Sequence, residues 1–235
     1  MNISRVFVNG VGIFPFPTML DLLDYVKEHR GILVAINAEK ILQATDETRA
    51  IINRNIGYSD GAGTVLVLKK HGYQAEKLPG CELWLQIIES TYKTGTTFYL
   101  VGGKQAVIDE TVKKLRSEFD GINIVNYRNG YIKSDAEREN LINDIVEKAP
   151  DVVFVAMGSP KQELLMEKML EKHPSAIYQG LGGSFDVYSG NVKRAPKWFL
   201  DHNLEWAYRN FTDFKRLPRL LNVIRFYINV QLGRF

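Results

Sequence analysis

The stretch Val152–Glu163, VVFVAMGSPKQE, changes abruptly from a strand pattern to a helix start. Its first part, Val152–Ala156, is an unbroken apolar run, which is typical of a parallel strand covered on both faces. Gly158 permits a turn, and we expect Ser159 to cap the next helix, with Gln162 completing a capping box. Open α/β sheets bind anions at such helix starts. The stretch therefore predicts either a ligand site or a well-capped crossover helix.

Strand-like and helix-like segments alternate on both sides of this stretch. Apolar runs predict buried strands over Ile32–Ile36, Thr97–Val101, Ile122–Tyr127 and Ala176–Leu181. Helical spacing and capping residues predict helices after Thr18, over Glu39–Asn55 with a break near Thr45, after Pro79, over Lys104–Phe119 and after Ser134. We expect a short strand or hairpin at a sheet edge over Arg5–Phe16, and a polar, glycine-rich loop over Tyr58–Gly63. The alternation predicts an α/β fold with a doubly wound, mainly parallel, Rossmann-like sheet.

Length and composition are ordinary for a single α/β domain. The chain has 235 residues, 45% hydrophobic and 24% charged, enough for a substantial core. Its one cysteine, Cys81, excludes an internal disulfide. The N-terminal residues lack a signal-peptide pattern, and no apolar stretch is long enough to span a membrane. We therefore expect a cytoplasmic protein.

The charge is unevenly distributed. The net charge is +3, but residues 193–235 hold nine basic and three acidic residues, whereas residues 1–192 hold 21 basic and 24 acidic residues. We predict an α/β domain over residues 1–194 and a helical, basic C-terminal appendage over residues 195–235. Its apolar residues interleaved with arginines suit a membrane interface. The alternative is a terminal helix docked on the domain or on another subunit.

Several kinds of site lack support. The four histidines are scattered, no Cys cluster exists, and no Asp-x-Asp pair, P-loop, dinucleotide fingerprint or G-x-S-x-G motif is present. What remains is a set of loops at predicted strand ends, namely Asn37–Lys40, Ser59–Gly63, Gly102–Gly103, Gly158–Gln162 and Gly182–Lys197. They offer N–H groups, amides, a carboxylate and cations. Such groups suit transfer from a diphosphate-activated donor, with protein cations and helix N-termini in place of a metal.

The same loops resemble the WecG/TagA/CpsF family of bacterial glycosyltransferases, in order, from about Leu33 to Arg219. The motifs that carry the resemblance are Asn37–Lys40, Asp60-Gly61, Met157–Glu163, Gly182–Val187, Gly190 and Lys193–Lys197. The resemblance implies a metal-independent, cofactor-free, inverting enzyme that moves a hexose from UDP to undecaprenyl-diphosphate-linked N-acetylglucosamine. Ala35–Lys40 and Val155–Pro160 look most like the N-acetylmannosaminuronic acid transferases of enterobacterial common antigen synthesis. N-acetylmannosamine or another hexose remains an alternative donor sugar.

The resemblance also implies roles for single residues. Asp60 matches the general base, although a plain Asx-turn aspartate is the alternative. The predicted substrate-binding residues are Asn37, Gly61, Gly102, Gly103, Ser159, Lys161, Gln162, Gly183, Lys193, Arg194, Arg209, Arg216 and Arg219. The last three match C-terminal arginines that fold over the active site, with lipid contact as the competing role. No metal ligand is expected.

Two positions depart from the family pattern. Ser59 stands where many members have proline, which predicts a less rigid loop, and Ala35 stands where some have threonine. The resemblance implies as partners a UDP-sugar, the lipid-linked acceptor and the inner face of the cytoplasmic membrane, but no nucleic acid. A second copy of the chain is a further candidate partner. A nucleotide-binding regulatory module, whose basic tail binds RNA or a protein, is the alternative class.

Overall fold

The computed structural model describes residues 3–196, 198–199, 208 and 217–235. The strands are β1 (Val6–Val8), β2 (Val11–Ile13), β3 (Gly31–Ile36), β4 (Ile56–Ser59), β5 (Thr97–Gly102), β6 (Asn123–Arg128), β7 (Val152–Ala156) and β8 (Ile177–Gly180). The helices are α1 (Met19–Glu28), α2 (Ala38–Gln43), α3 (Asp46–Arg54), α4 (Ala62–Lys70), α5 (Gly80–Thr91), α6 (Gln105–Glu118), α7 (Asp135–Lys148), α8 (Lys161–Lys172), α9 (Ser184–Tyr188) and α10 (Leu217–Gln231). A 3₁₀ turn over Tyr92–Thr94 follows α5.

Six strands form one parallel sheet in the order β4-β3-β8-β7-β5-β6. Alternate residues of the central strands enter two separate cores. Val153 and Val155 pack among residues of α3, α7 and α8, whereas Val152 and Phe154 pack among residues of α1, α5 and α6. Helices therefore cover both faces, which explains why these strands are continuously apolar. The predicted doubly wound α/β fold is confirmed.

Strand β4 was not predicted from the sequence. We expected a loop over Tyr58–Gly63, but Tyr58 and Ser59 are fully buried and pair with Ala35 and Ile36 of β3. The polar residues in this segment favour a loop when the sequence alone is considered. In the structure, Ser59 can be buried because its hydroxyl donates to the carbonyl oxygen of Glu76 at 2.6 Å. The true loop after β4 is only Asp60-Gly61.

The predicted capping box at the start of α8 is wrong. The helix begins at Lys161, after a cis Ser159–Pro160 peptide bond, and no side chain caps it. Gln162 reaches back beyond Ser159, and its Oε1 accepts the Gly158 N–H at 3.1 Å. The other predicted caps are confirmed, since Thr18 accepts the Asp21 N–H and Ser134 accepts the Glu137 N–H.

The hairpin β1–β2 forms a small antiparallel sheet beside the β4 edge. The Phe14 N–H, just after β2, donates to the Gly57 carbonyl at 2.8 Å, and Phe14 bridges to Tyr58. This contact covers the exposed edge of β4, as edge strands require. The expected edge hairpin is confirmed.

Helix α10 has one face docked on the domain and another exposed. Phe226 and Val230 are buried in the core shared with α2 and α4, and Lys70 donates to the Val230 carbonyl at 3.1 Å. Leu221, Ile224 and Ile228 on the other side are 69%, 48% and 52% exposed. Within the described ranges, no helix has the length and apolar character needed to cross a membrane. The predicted division of the chain at residue 194 stays a prediction.

Candidate active site

An open cleft of about 1470 Å³ lies along the carboxyl edge of the parallel sheet. Its lining comes from segments that directly follow strands, including Asn37 after β3, Asp60 after β4, Gly103 after β5 and Gly158 after β7. This is where open α/β sheets bind ligands. The volume exceeds the roughly 300–1,000 Å³ of a typical single-ligand pocket. The cleft is therefore larger than a pocket shaped around one small ligand.

Asp60 is held at the edge of this cleft by backbone hydrogen bonds. Its N–H donates to the Ile36 carbonyl at 3.0 Å, which extends the pairing of β4 with β3 by one residue. Its Oδ1 accepts the N–H of Gly80, the first residue of α5, at 2.7 Å. The residue is half-buried and lines the cleft. A carboxylate so placed can accept a proton from a ligand hydroxyl.

Ser59 anchors the strand end from which Asp60 projects. Besides the hydroxyl bond to Glu76, its carbonyl oxygen accepts the Leu78 N–H at 2.7 Å. Together with the bond from Gly80 to Asp60, these contacts join residues 76–80 to the end of β4. These hydrogen bonds hold the end of the strand in place, and the expectation of a less rigid loop at Ser59 stays a prediction.

A buried polar layer lies behind Asp60. Gln179 of β8 donates from Nε2 to the Gly80 carbonyl at 3.2 Å and to the Tyr58 hydroxyl at 3.4 Å. A Cβ on Gly80 would lie 2.7 Å from that hydroxyl, so only glycine fits there. Burial, reinforced by the Asp60 charge, raises the pKa of Tyr58 well above its ordinary value. Tyr58 thus stays neutral at physiological pH and does not compete with Asp60 as a base.

Asn37 lies beside Asp60 on the neighbouring strand. Ile36 pairs with Ser59, so the two residues occupy equivalent positions one step beyond the ends of β3 and β4. The Asn37 side chain caps α2, and its Oδ1 accepts the Lys40 N–H at 3.0 Å. Ala35, where some relatives carry threonine, also lines the cleft.

The side-chain oxygen and nitrogen of Gln162 both form hydrogen bonds within the protein. Its side chain is buried, and Oε1 accepts two backbone N–H groups, from Gly158 at 3.1 Å and from Gly182 at 2.9 Å. Its Nε2 donates to Glu163 Oε1 at 3.2 Å. Gln162 therefore ties together the loops that follow β7 and β8.

Glu163 forms a buried ion pair at the floor of the cleft. Its Oε1 lies 2.7 Å from Lys40 Nζ, and the two side chains are 2% and 15% exposed. Burial alone would raise the pKa of Glu163, but the Lys40 ammonium, together with the hydrogen bonds from Lys40 and Gln162, outweighs it and lowers the pKa. The carboxylate is therefore ionised at neutral pH.

Lysines dominate the charged lining of the cleft. The lysines are Lys40, Lys77, Lys104, Lys133, Lys161 and Lys193, and the acids are Glu39, Asp60, Glu163 and Asp186. Because the Lys40 charge is balanced by Glu163, the other five lysines face three acids. The excess positive charge favours an anionic ligand. Sequence patterns did not identify Lys77, Lys104 or Lys133, although Lys104 directly follows the predicted loop Gly102–Gly103.

The structure brings most of the predicted site residues together. Those that line the cleft are Asn37, Asp60, Gly103, Ser159, Lys161, Gln162, Gly183 and Lys193. Gly61, Gly102 and Arg194 do not line it. Gly61 is the N-cap residue of α4, Gly102 packs where a Cβ would meet the Ala156 backbone, and Arg194 forms an ion pair with Glu82. Arg209, Arg216 and the side chain of Arg219 lie outside the described residues.

Two tyrosines in the cleft were not predicted. Tyr131 follows β6, and Tyr208 belongs to the C-terminal region of the chain. Tyr208 shows that part of this region reaches the cleft. Aromatic rings in a polar cleft can stack on a base or a sugar ring. The described part of the chain contains no group of three or more His, Cys, Asp or Glu side chains that could hold a metal ion.

Comparison with known families gives a match over nearly the whole chain. The sequence model of the Glycosyl transferase WecG/TagA/CpsF family matches residues 9–235. The match includes the cleft loops and α10, and it contains the whole range over which the motifs show a resemblance.

The lowered pKa of Glu163 predicts how stability depends on pH. A folded-state pKa below the ordinary value of 4.5 means that the ionised group stabilises the fold above about pH 4.5. That contribution is lost as the pH falls further. The difference in free energy of unfolding between the wild type and Glu163→Gln should thus be largest above about pH 5 and shrink towards pH 3. Urea unfolding at several pH values measures it, and a constant difference would contradict the lowered pKa.

Proposed function

The chain belongs to the WecG/TagA/CpsF family of glycosyltransferases, and we propose that it transfers N-acetylmannosaminuronic acid, or N-acetylmannosamine, from UDP to undecaprenyl-diphosphate-linked N-acetylglucosamine. Such a reaction serves the synthesis of a bacterial surface polysaccharide of the enterobacterial common antigen type. One observation carries the proposal. The half-buried carboxylate of Asp60 lies in a lysine-rich cleft at the carboxyl edge of a parallel sheet.

Asp60 acts as the general base in the proposed reaction. It removes the proton from the 4-hydroxyl of the acceptor sugar, and that oxygen attacks the anomeric carbon of the donor as the bond to UDP breaks. Attack from the side opposite UDP inverts the anomeric centre. The hydrogen bond from the Gly80 N–H to Oδ1 helps to fix the orientation of the carboxylate that receives the proton.

The lysines of the cleft neutralise the departing diphosphate. Lys161 and Lys193 come from the loop regions whose motifs resemble the family, and Lys104 and Lys133 add positive charge from the β5 and β6 side. Protein cations can stabilise the charge that develops on a leaving phosphate, as a metal ion does in other enzymes. We assign Arg209, Arg216 and Arg219 to the same task on the basis of their match to the family motif.

Helix α10 supplies the proposed contact with the inner face of the cytoplasmic membrane. Leu221, Ile224 and Ile228 form an exposed apolar stripe, and Arg225 is exposed beside it. Apolar side chains with neighbouring cations suit the boundary between lipid headgroups and acyl chains. A protein bound there would meet its acceptor, which is itself anchored in lipid.

A donor screen tests the proposed reaction. UDP-N-acetylmannosaminuronate, UDP-N-acetylmannosamine and UDP-glucose are each mixed with the enzyme and the lipid-linked acceptor, and UDP release is measured. We expect the uronate or N-acetylmannosamine donor to give the highest kcat/KM, with turnover unchanged by EDTA because protein cations carry the charge. A preference for UDP-glucose would favour the alternative hexose, and loss of turnover in EDTA would contradict metal independence.

Replacement of the base tests the mechanism. Asp60→Asn keeps an oxygen that can accept the Gly80 N–H but cannot take up the acceptor proton. We expect kcat to fall by about 10²- to 10⁴-fold, with the Kd for the UDP-sugar little changed. Asp24→Asn, at an exposed position on α1, serves as the matched control and should retain full activity. Near-normal turnover in Asp60→Asn would remove Asp60 from the role of base.

The membrane contact is tested by charge substitution on α10. Ile224→Asp combined with Ile228→Asp should lower binding to phosphatidylglycerol vesicles by roughly tenfold or more, because two apolar side chains no longer enter the interface. Leu20→Asp, which alters an equally exposed apolar residue on α1, should not affect binding. Equal sedimentation of both variants with the vesicles would argue against α10 as the contact.

A further inference from the structure

The buried ion pair between Lys40 and Glu163 is poorly explained by stability alone. Removing two charges from water costs free energy that a buried pair seldom recovers in full, and an apolar pair of similar size is often as stable. In addition, Glu163 Oε2 is buried without a hydrogen-bond partner. Such a locally unfavourable arrangement is expected where function requires it. Both residues line the cleft.

The pair is the centre of a continuous hydrogen-bond network. Glu163 Oε1 accepts from Lys40 Nζ at 2.7 Å and from Gln162 Nε2 at 3.2 Å. Gln162 in turn holds the N–H groups of Gly158 and Gly182. At the other end, the backbone N–H of Lys40 donates to Asn37 Oδ1 at 3.0 Å. One network thus joins the segments that follow β3, β7 and β8.

These three strands are neighbours at the centre of the sheet, with β8 between β3 and β7. The two loops held by Gln162 turn at Gly158 and Gly182, whose φ angles are +78° and +58°. Glycine has the widest choice of backbone conformations, so these loops need an external anchor to keep one geometry. The network supplies it through a single carboxylate.

We propose that Glu163 is a positioning residue for glycosyl transfer, which fixes Asn37 and the loops at Gly158 and Gly182 through Lys40 and Gln162. It does so without touching either substrate. The proposal rests on the proposed transferase function, and it explains why a charged pair is kept at the floor of the cleft. Misplacement of reacting groups by about 1 Å can cost roughly 10² in rate.

The matched control lies one turn further along α8. Glu167 forms an ion pair with Arg54 of α3 and accepts a hydrogen bond from Asn55 at 3.3 Å, so it also links α8 to another part of the fold. Neither Arg54 nor Glu167 lines the cleft. Glu167→Gln therefore removes another ion pair between α8 and a neighbouring helix, one more exposed than Lys40–Glu163, without altering a residue of the cleft network.

The test compares Glu163→Gln, Lys40→Met, the Lys40→Met/Glu163→Met double variant and Glu167→Gln. We expect kcat to fall by about 10²-fold in Glu163→Gln, with a smaller change in the Kd for UDP. The double variant should be more stable than either single variant, because no buried charge is left unpaired, but its kcat should remain low. The kcat of the double variant should be no lower than that of the less active single variant, because both substitutions break the same network. Glu167→Gln should retain its kcat.

Hydrogen exchange gives a readout that does not depend on turnover. The Gly158 and Gly182 amides should exchange faster in Glu163→Gln than in the wild type and remain protected in Glu167→Gln. Unchanged exchange at both glycines, or recovery of wild-type kcat in the double variant, would overturn the positioning role. Absence of turnover in the wild type with every UDP-sugar would instead overturn the proposed function, so the two failures are distinguishable.

Discussion

The parallel direction of the six sheet strands is the constraint on which the remaining structure depends. Parallel pairing puts every carboxyl end at one edge, so residues far apart in sequence, such as Asn37, Asp60 and Gly158, lie around one cleft. Parallel strands also need helices on both faces, which accounts for the two separate cores. The helices in turn begin at the cleft, where their first N–H groups are free to contact ligands or side chains. The fold thus creates a polar, anion-favouring edge before any catalytic residue is considered.

At that edge, hydrogen bonds fix the orientation of the polar side chains. The Asp60 carboxylate receives its orientation from the start of α5, whose own position is fixed by Gln179 through the Gly80 carbonyl. Residues 76–80 are fastened to β4 by Ser59. On the opposite side, Gln162 joins the two glycine loops. These side chains are linked by hydrogen bonds to the backbone of neighbouring segments, and such a network favours a single geometry over several. A base and a leaving-group site held in this way need little reorganisation during a reaction.

Periodicity and turn residues were sufficient to predict the sheet, most helices and the strand ends that form the cleft, because these features depend on local pattern. The failures have a common physical origin. Strand β4 was missed since Ser59 is buried with an internal partner that the sequence does not reveal. The capping role of Ser159 was wrong since Gln162 bonds beyond it to residues of two loops. The lysines of the β5 and β6 side were not predicted, although Lys104 directly follows the predicted loop Gly102–Gly103, and tertiary packing brings Lys104 and Lys133 to the cleft. Contacts between distant segments decided each of these cases.

The docking of α10 connects the far end of the chain to the candidate base. Phe226 packs so closely on α4 that a Cβ on Gly63 would lie 2.9 Å from its ring. Helix α4 begins two residues after Asp60, and α2, the other helix under α10, is capped by Asn37. The helix therefore rests on two helices that start at the edge of the cleft, while its exposed stripe faces away from them. Tyr208, which precedes α10 in the chain, lines the cleft itself. A surface bound by the exposed stripe would consequently lie on the far side of α10 from α2 and α4, the helices that follow Asn37 and Asp60 in the chain.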